Sequence, residues 1–255
     1  MLTTERHLEI LSILNKKKAV TVSQLCAALY VSSATIRRDL TQLEREGLLR
    51  RSHGGAILSE GGNKELSVLT RSKEHVQAKN KIAQLASLYI NDGNTLFLDS
   101  SSSVCSIIPY LPAFQQITVI TNGLHCALSL SETTNCNVYL PAGQVISRTN
   151  SLVGSETLLS ILNFNADVAF VSCAGVSQSG GITEASVEQS RIKQAMLKQS
   201  KTKILLCDNS KFDQIYFSRT CNIGDFDYVI CEEDPGSDWR SFFGTLSCEL
   251  IFPED

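Results

Sequence analysis

No apolar run in this sequence approaches the roughly 18 to 20 residues that a membrane-spanning helix requires, so no membrane partner is expected. The opening stretch, residues 1–18, carries charges where a secretory signal needs an apolar centre, which makes the cytoplasm the expected compartment. Cysteine occurs nine times but never as C-x-x-C: Cys26, Cys105, Cys126, Cys136, Cys173, Cys207, Cys221, Cys231 and Cys248 all stand singly. A chain of 255 residues that is 43% hydrophobic builds its core without staples, so these are expected to be small buried thiols rather than bridges or metal ligands. His7, His53, His75 and His125 have no partner at ligand spacing along a helix, and neither a metal nor a cofactor is expected.

An overall basic excess is missing too, since the net charge is -3. The charge is unevenly divided, however. Residues 1–58 hold nine Lys/Arg against five Asp/Glu, a balance of +4, whereas the remainder holds 14 against 21, a balance of -7. A basic head and an acidic body point to different partners.

Within the head, Leu8, Ile10, Leu11, Ile13 and Leu14 recur with helical spacing after Thr3 or Thr4 as N-cap, and the pattern stops in the run 15–18. Thr21-Val-Ser-Gln24 has the form of a capping box and announces a second helix carrying Leu25, Ala28 and Leu29. A turn at Tyr30-Val31 leads to Ser32 as the next N-cap, and a third helix is expected over 33–46, closed by Gly47. On that helix Ile36, Leu40 and Leu43 fall within about 60° of one another and must face the core.

The opposite face is thereby fixed. It presents Ala34, Arg38, Thr41 and Gln42, flanked by Thr35 and Arg37, with Ser33 at the helix start. Arginine can grip guanine O6 and N7 or clamp a phosphate, glutamine can pair with adenine, and threonine can meet a thymine methyl, which is the chemistry of a recognition helix in a major groove. The following stretch, 48–58, reads as two short strands around His53-Gly54-Gly55, a wing on which Arg50, Arg51 and His53 could touch the flanking backbone.

Val31-Ser32, Thr35-Ile-Arg-Arg-Asp-Leu40, Leu43-Glu44, Gly47 and Arg51-Ser-His-Gly-Gly-Ala56 resemble the N-terminal signature of the DeoR family of bacterial transcriptional regulators. The resemblance implies a winged helix-turn-helix over 1–58 that binds double-stranded operator DNA, with Thr35, Arg37 and Arg38 as contacts. Tyr30 stands where the family has glycine. A bulky residue tolerates positive φ poorly, so either that turn is strained or it adopts another conformation.

From 59 the composition turns to Ser, Glu and Gly, so residues 59–72 are expected to link the head to a larger domain over 73–255. There a Lys- and Ala-rich helix (73–90) precedes apolar runs at 95–98, 117–121, 138–140, 168–172, 204–207 and 228–231, with helices near 103–111, 123–131, 155–163 and 186–199. Short apolar strands alternating with helices predict an α/β domain with a mostly parallel sheet covered on both faces. Ligands of such sheets sit at the carboxyl ends of the strands. The residues expected there are Asp99, Ser100, Ser101, Ser102 and Ser103, then Thr121 and Asn122, then Gly143, then the loop 179–183, with Lys193, Asp208 and Lys211 beyond. Hydroxyls, two cations and carboxylates suit a ligand bearing phosphate and polyol groups.

These segments resemble the sensor domain of DeoR-type regulators, whose fold is similar to pentose-phosphate isomerases and acyl-CoA transferases. Asp99 with its serines matches D-x-G-T-T, Thr121-Asn122 matches T-N-S, Ile192-Lys-Gln-Ala-Met196 matches V-K-x-A-M, and 208–212 matches D-S-S-K-F. The resemblance implies an effector site of Asp99, Ser101, Ser102, Ser103, Lys193 and Lys211, with Ser101 in the place of the loop glycine. The expected function is a sequence-specific regulator, a repressor of a carbohydrate-metabolism operon, working as a homo-oligomer and tuned by a phosphorylated sugar or related metabolite. Two alternatives stand beside it: a sugar-phosphate isomerase with Glu184, Glu188 or Asp208 as base, and a ligand-binding module with a vestigial head.

Overall fold

The computed structural model describes residues 3–45, 49–52, 54–57 and 68–253. The chain separates into two units, the first ending at Leu66 and the second beginning at Ser67.

In the first unit α1 (Thr3–Lys17), β1 (Ala19–Thr21), α2 (Val22–Leu29) and α3 (Ser33–Arg45) are followed by β2 (Arg50–Ser52) and β3 (Gly55–Ile57). The capping box forms as expected: Thr21 Oγ1 accepts from Gln24 N at 3.2 Å, and Gln24 Oε1 accepts from Thr21 N at 2.9 Å. Ile36, Leu40 and Leu43 are buried together with Ile10, Leu14, Leu25 and Leu49 in one apolar cluster. The wing is an antiparallel pair of β2 and β3, and β1 adds a third strand on the far side of β3 that the sequence pattern did not announce. Gly47 and His53 lie outside the described residues, as do residues 59–67 of the linker expected over 59–72.

Tyr30 settles the question of the turn. It keeps the left-handed conformation, with φ 55° and ψ 41°, and its side chain is 93% exposed. The turn therefore has the shape a glycine would give it, at the steric cost of a Cβ in that region.

The second unit begins with α4 (Val68–Arg71), which occupies the end of the expected linker, and α5 (Val76–Ser87). Then follow β4 (Thr95–Leu98), α6 (Ser102–Cys105), β5 (Thr118–Thr121), α7 (Leu124–Thr133), β6 (Asn137–Tyr139), β7 (Gln144–Ile146), β8 (Ser151–Val153) and α8 (Ser155–Leu162). The rest is β9 (Ala166–Ser172), β10 (Gly175–Ser177), β11 (Gly181–Glu184), α9 (Val187–Lys198), β12 (Ser200–Leu206), β13 (Ser218–Cys221), β14 (Tyr228–Ile230), α10 (Ser237–Phe243) and β15 (Glu249–Ile251). Seven strands form a parallel sheet in the order β15-β14-β12-β9-β4-β5-β6.

The pleat divides the core by alternation. Leu96, Leu98, Phe170, Leu206 and Ile230 face Ile82 and Ala86 of α5 and Leu130 of α7, whereas Phe97, Ala169, Val171, Leu205 and Val229 face Ile161, Ile192, Met196 and Trp239. Helices on both faces are the arrangement expected from continuous apolar strands.

Three expectations need correction. The helix expected over 103–111 is α6 followed by a 3-10 turn, Ile108–Ala113, because Pro109 and Pro112 cannot donate the backbone hydrogen bonds that would continue it. The loop 179–183 is largely strand: β10, β11 and β13 form a separate antiparallel sheet. Not every cysteine is a thiol, since Cys105 and Cys126 are joined by a disulfide, while the other seven are free. Packing of α6 against α7 brings together two residues that are 21 positions apart, which no spacing rule reveals.

Candidate functional sites

In the first unit the site is the outer face of α3. Ser32 caps the helix, its Oγ accepting from Thr35 N at 3.3 Å and lying 3.0 Å from Thr35 Oγ1. Ser33, Ala34, Arg37, Arg38 and Gln42 are exposed, and Thr35 and Thr41 are half-buried. The two threonines are less available than the arginines. Thr41 Oγ1 donates to Arg37 O at 2.8 Å and accepts from Arg51 Nη1 at 2.9 Å, while Arg51 N donates to Glu44 Oε1 at 2.8 Å. Arg51 thus folds back from the wing onto α3.

Behind this face lies an ionic anchor that sequence reasoning missed. Asp39 is buried and takes Arg6 Nε at 2.6 Å, Arg6 Nη2 at 3.1 Å and His7 Nε2 at 3.1 Å. Burial alone would raise the Asp39 carboxyl, but the hydrogen bonds from Arg6 and His7 outweigh it and hold the group below the usual carboxylate range. The anchor fixes α3 against α1 and so sets the direction in which Arg37 and Arg38 point. Its members are more than 30 residues apart, and the Asp of T-I-R-R-D-L was the one available signal.

In the second unit the candidate site lies where β4, β5, β9 and β12 end. Asp99 immediately follows β4 and is 1% exposed. Its Oδ1 accepts from Ser101 N at 2.8 Å and from Ser101 Oγ, and its Oδ2 accepts from Ser172 N at 2.9 Å and from Lys193 Nζ at 2.5 Å. Lys193 also donates to Ser172 O at 2.7 Å and pairs with Glu184 Oε1 at 3.1 Å. An ammonium has three donors, and here three acceptors meet them. Burial opposes the charge on Lys193, but Asp99 and Glu184 overcome it and raise its affinity for the proton. Lys193, expected to meet a ligand anion, is paired with two carboxylates of its own chain, Asp99 and Glu184.

The serine loop is ordered by the same network. Ser101, in place of the family's glycine, has φ -77° and ψ 150°, an ordinary extended backbone, so the substitution brings no strain. Its hydroxyl is used locally, as helix cap and as partner of Asp99. Ser100, Ser102 and Ser103 are also buried, and Ser100 Oγ lies 3.5 Å from Gln189 Oε1. Gln189 Nε2 in turn donates to Ser151 Oγ at 2.7 Å.

Thr121 and Asn122, at the end of β5, are fully buried. Thr121 Oγ1 accepts from Gly123 N at 3.0 Å, and Asn122 Nδ2 donates to Leu152 O at 3.0 Å. Asn122 Oδ1 is buried without a hydrogen-bond partner among the described residues. The neighbouring residue touches the serine loop, since a Cβ built on Gly123 would lie 3.0 Å from Ser100 Cα.

Asp208 caps a 3-10 turn, Asn209–Lys211, accepting from Ser210 N at 3.2 Å. Lys211 is half-buried and has no ion-pair partner among the described residues. Gly143 is pressed against α8, where a Cβ would come 1.9 Å from Thr157 Oγ1. No hydrogen bond among the described residues joins it to the Asp99 cluster. Ser179 lines an open cleft of about 670 Å³ with Asp213, Ser237 and Asp238.

A second buried lysine escaped the sequence reading. Lys79 of α5 is 4% exposed, and its Nζ donates to Glu74 O at 2.7 Å and to Arg71 O. Burial pushes it down to about 8, with Asp208 and Lys211 among the charges it feels.

Both units match known protein families. Residues 6–61 match the DeoR-like helix-turn-helix domain and residues 74–233 match the DeoR C-terminal sensor domain. The chain is 33% identical to the HTH-type transcriptional repressor GlcR of Bacillus subtilis (strain 168), covering 100% of this chain and 98% of that protein. It is 28% identical to the glycerol-3-phosphate regulon repressor of Escherichia coli (strain K12), covering 92% and 93%. Among solved structures, a D-ribose-5-phosphate isomerase aligns over 54% of each chain at 15% identity and a TM-score of 0.41, a likeness too distant to carry a functional argument.

Proposed function

The chain belongs to the DeoR family of transcriptional regulators, and from that premise we propose that it represses a carbohydrate-metabolism operon and releases its operator when a phosphorylated sugar-type metabolite occupies the second unit. Arg37 and Arg38, on the face of α3 opposite Ile36, Leu40 and Leu43, supply the DNA contacts. Ser33, Ala34 and Gln42 line the same face, while Thr35, Thr41 and Arg51 support it. One head reads too few base pairs for strong specificity, so the working form is a homo-oligomer on repeated or palindromic half-sites.

The effector half of the reading rests on the orphaned Oδ1 of Asn122, in the turn whose Gly123 touches the serine loop. A buried acceptor without a donor costs about 1–3 kcal/mol, and a ligand hydroxyl relieves it. Asp99, Lys193 and Glu184 together carry one formal negative charge, which suits hydroxyl donors rather than phosphate. The phosphate end belongs with Lys211 and the hydroxyls of Ser100, Ser102 and Ser103, with Asp208 positioning the lysine.

The test is a thermal-shift series of phosphorylated sugars and sugar acids on the full chain, followed by operator competition. A ligand at 100 times its dissociation constant stabilises the fold by about 2.7 kcal/mol. The expected hit both raises the melting temperature and weakens DNA binding. A stabilising ligand that leaves DNA affinity unchanged would refute the regulatory link.

A further inference from the structure

The disulfide and the candidate effector site occupy one place. Cys105 is the last residue of α6, whose N-cap is Ser101, and Cys126 lies in the first turn of α7, whose N-cap is Gly123. The bridge therefore ties together the helices that follow the serine loop and the Thr121-Asn122-Gly123 turn. These two segments already touch, with Gly123 against Ser100 and against Cys126, whose Cβ lies 3.3 Å from a Cβ built on the glycine.

Exposure distinguishes the two residues: Cys126 is fully buried, whereas Cys105 is half-buried. Burial makes four of the free thiols poor nucleophiles: it pushes Cys221, Cys231 and Cys248 up to about 12 and raises Cys207 well above its ordinary value.

We propose that Cys105 and Cys126 form a reversible redox modification site whose bridge fixes the spacing between the serine loop and the Thr121–Gly123 turn. The oxidant is a low-molecular-weight disulfide. The Cys105 thiolate attacks one of its sulfurs, giving a mixed disulfide and releasing one small thiol. The Cys126 thiolate then attacks Cys105 Sγ, closes the bridge and displaces the second small thiol. Two electrons and two protons pass from the protein to the two released thiols, and excess small thiol reverses both steps.

With the bridge open, α6 has four residues, too few to hold a helix through its own backbone bonds, and depends on its Ser101 cap and on the burial of Val104. Its amides then open more often. The oxidised form keeps the two loops at a fixed separation, which makes the site's readiness for a ligand depend on redox poise. That last consequence rests on the effector reading above, whereas the chemistry and the loop spacing do not.

The experiment equilibrates the full chain in glutathione buffers from reducing to oxidising, acid-quenches and unfolds one aliquot for alkylation and a count of modified cysteines by mass spectrometry, and follows amide exchange in another aliquot of the same sample. The expected result is a fall from nine alkylated cysteines to seven, mapped to 105 and 126 and reversed by thiol. Exchange within 100–105 and 122–127 should slow at least tenfold on oxidation, and Cys105→Ser should exchange like the reduced protein in every buffer. Nine alkylated cysteines at every poise, loss of a different pair, or equal exchange in both forms would overturn the proposal. Neither readout uses an effector or DNA, so failure of the metabolite reading leaves the result intact.

Discussion

Replacing Lys193 with methionine separates two roles for this residue, ligand cation or internal counter-ion. Its side chain is 5% exposed and that of Asp99 2%, and both carboxylates that it serves are buried. Removing one partner of a buried ion pair leaves an uncompensated charge and costs about 3–5 kcal/mol, far beyond the lost packing of one terminal nitrogen. For a unit of this size each kcal/mol lowers the melting temperature by about 2–4 °C, so Lys193→Met should melt roughly 6–20 °C lower. The assay is built in: Trp239 is the single tryptophan, it is 3% exposed in the core of the second unit, and its fluorescence follows that unit alone. Adding Asp99→Asn to Lys193→Met should recover part of the loss, because the orphaned charge is then gone. A Lys193→Met protein that melts within about 1 °C of wild type but no longer responds to effector would refute the counter-ion role and restore Lys193 as a ligand contact.

Other outcomes follow from the head. Tyr30→Gly should stabilise it by up to about 1 kcal/mol, since glycine removes the left-handed penalty at a side chain that is 93% exposed; a far-UV melt that moves down instead would contradict this. Asp39 has a folded-state value held below its unfolded value, so its contribution to stability is present above about pH 4 and is lost as the pH falls through the folded value. Asp39→Asn should remove that part of the acid dependence, and an unchanged slope of stability against pH would show that the Arg6 pair is not formed in solution.

How much of this was legible in the sequence depends on whether the cause was local. The buried face of α3 follows from the 3.6-residue period of Ile36, Leu40 and Leu43, and the start of α2 follows from the side-chain bonds of Thr21 and Gln24, so both could be read directly. The parallel strands followed from apolar runs long enough to be covered on both faces. Asp99, Thr121, Asn122 and Asp208 could be placed because strand ends collect ligands in such sheets. What Lys193 does there could not be read, because its partners Glu184 and Asp99 arrive from the end of β11 and from a loop 94 residues away. The Arg6–Asp39 pair and the Cys105–Cys126 bridge were hidden for the same reason, being made by packing between distant positions, whereas the Lys79 contacts are local but go to the backbone carbonyls of Arg71 and Glu74, which no side-chain pattern announces. The departures at Tyr30 and Ser101 had opposite answers that only backbone angles could give, one in the left-handed region and one in ordinary extended geometry.

The central claim, that the outer face of α3 reads DNA sequence, is tested most directly by selecting duplexes from a random pool with the full chain and with Arg38→Ala. Wild type should enrich a repeated or palindromic site, and Arg38→Ala should bind that site about 1–3 kcal/mol more weakly with the preference relaxed at one base pair, while its far-UV melt stays unchanged. Enrichment of no sequence by wild type, or of the same sequence with equal affinity by Arg38→Ala, would contradict the account.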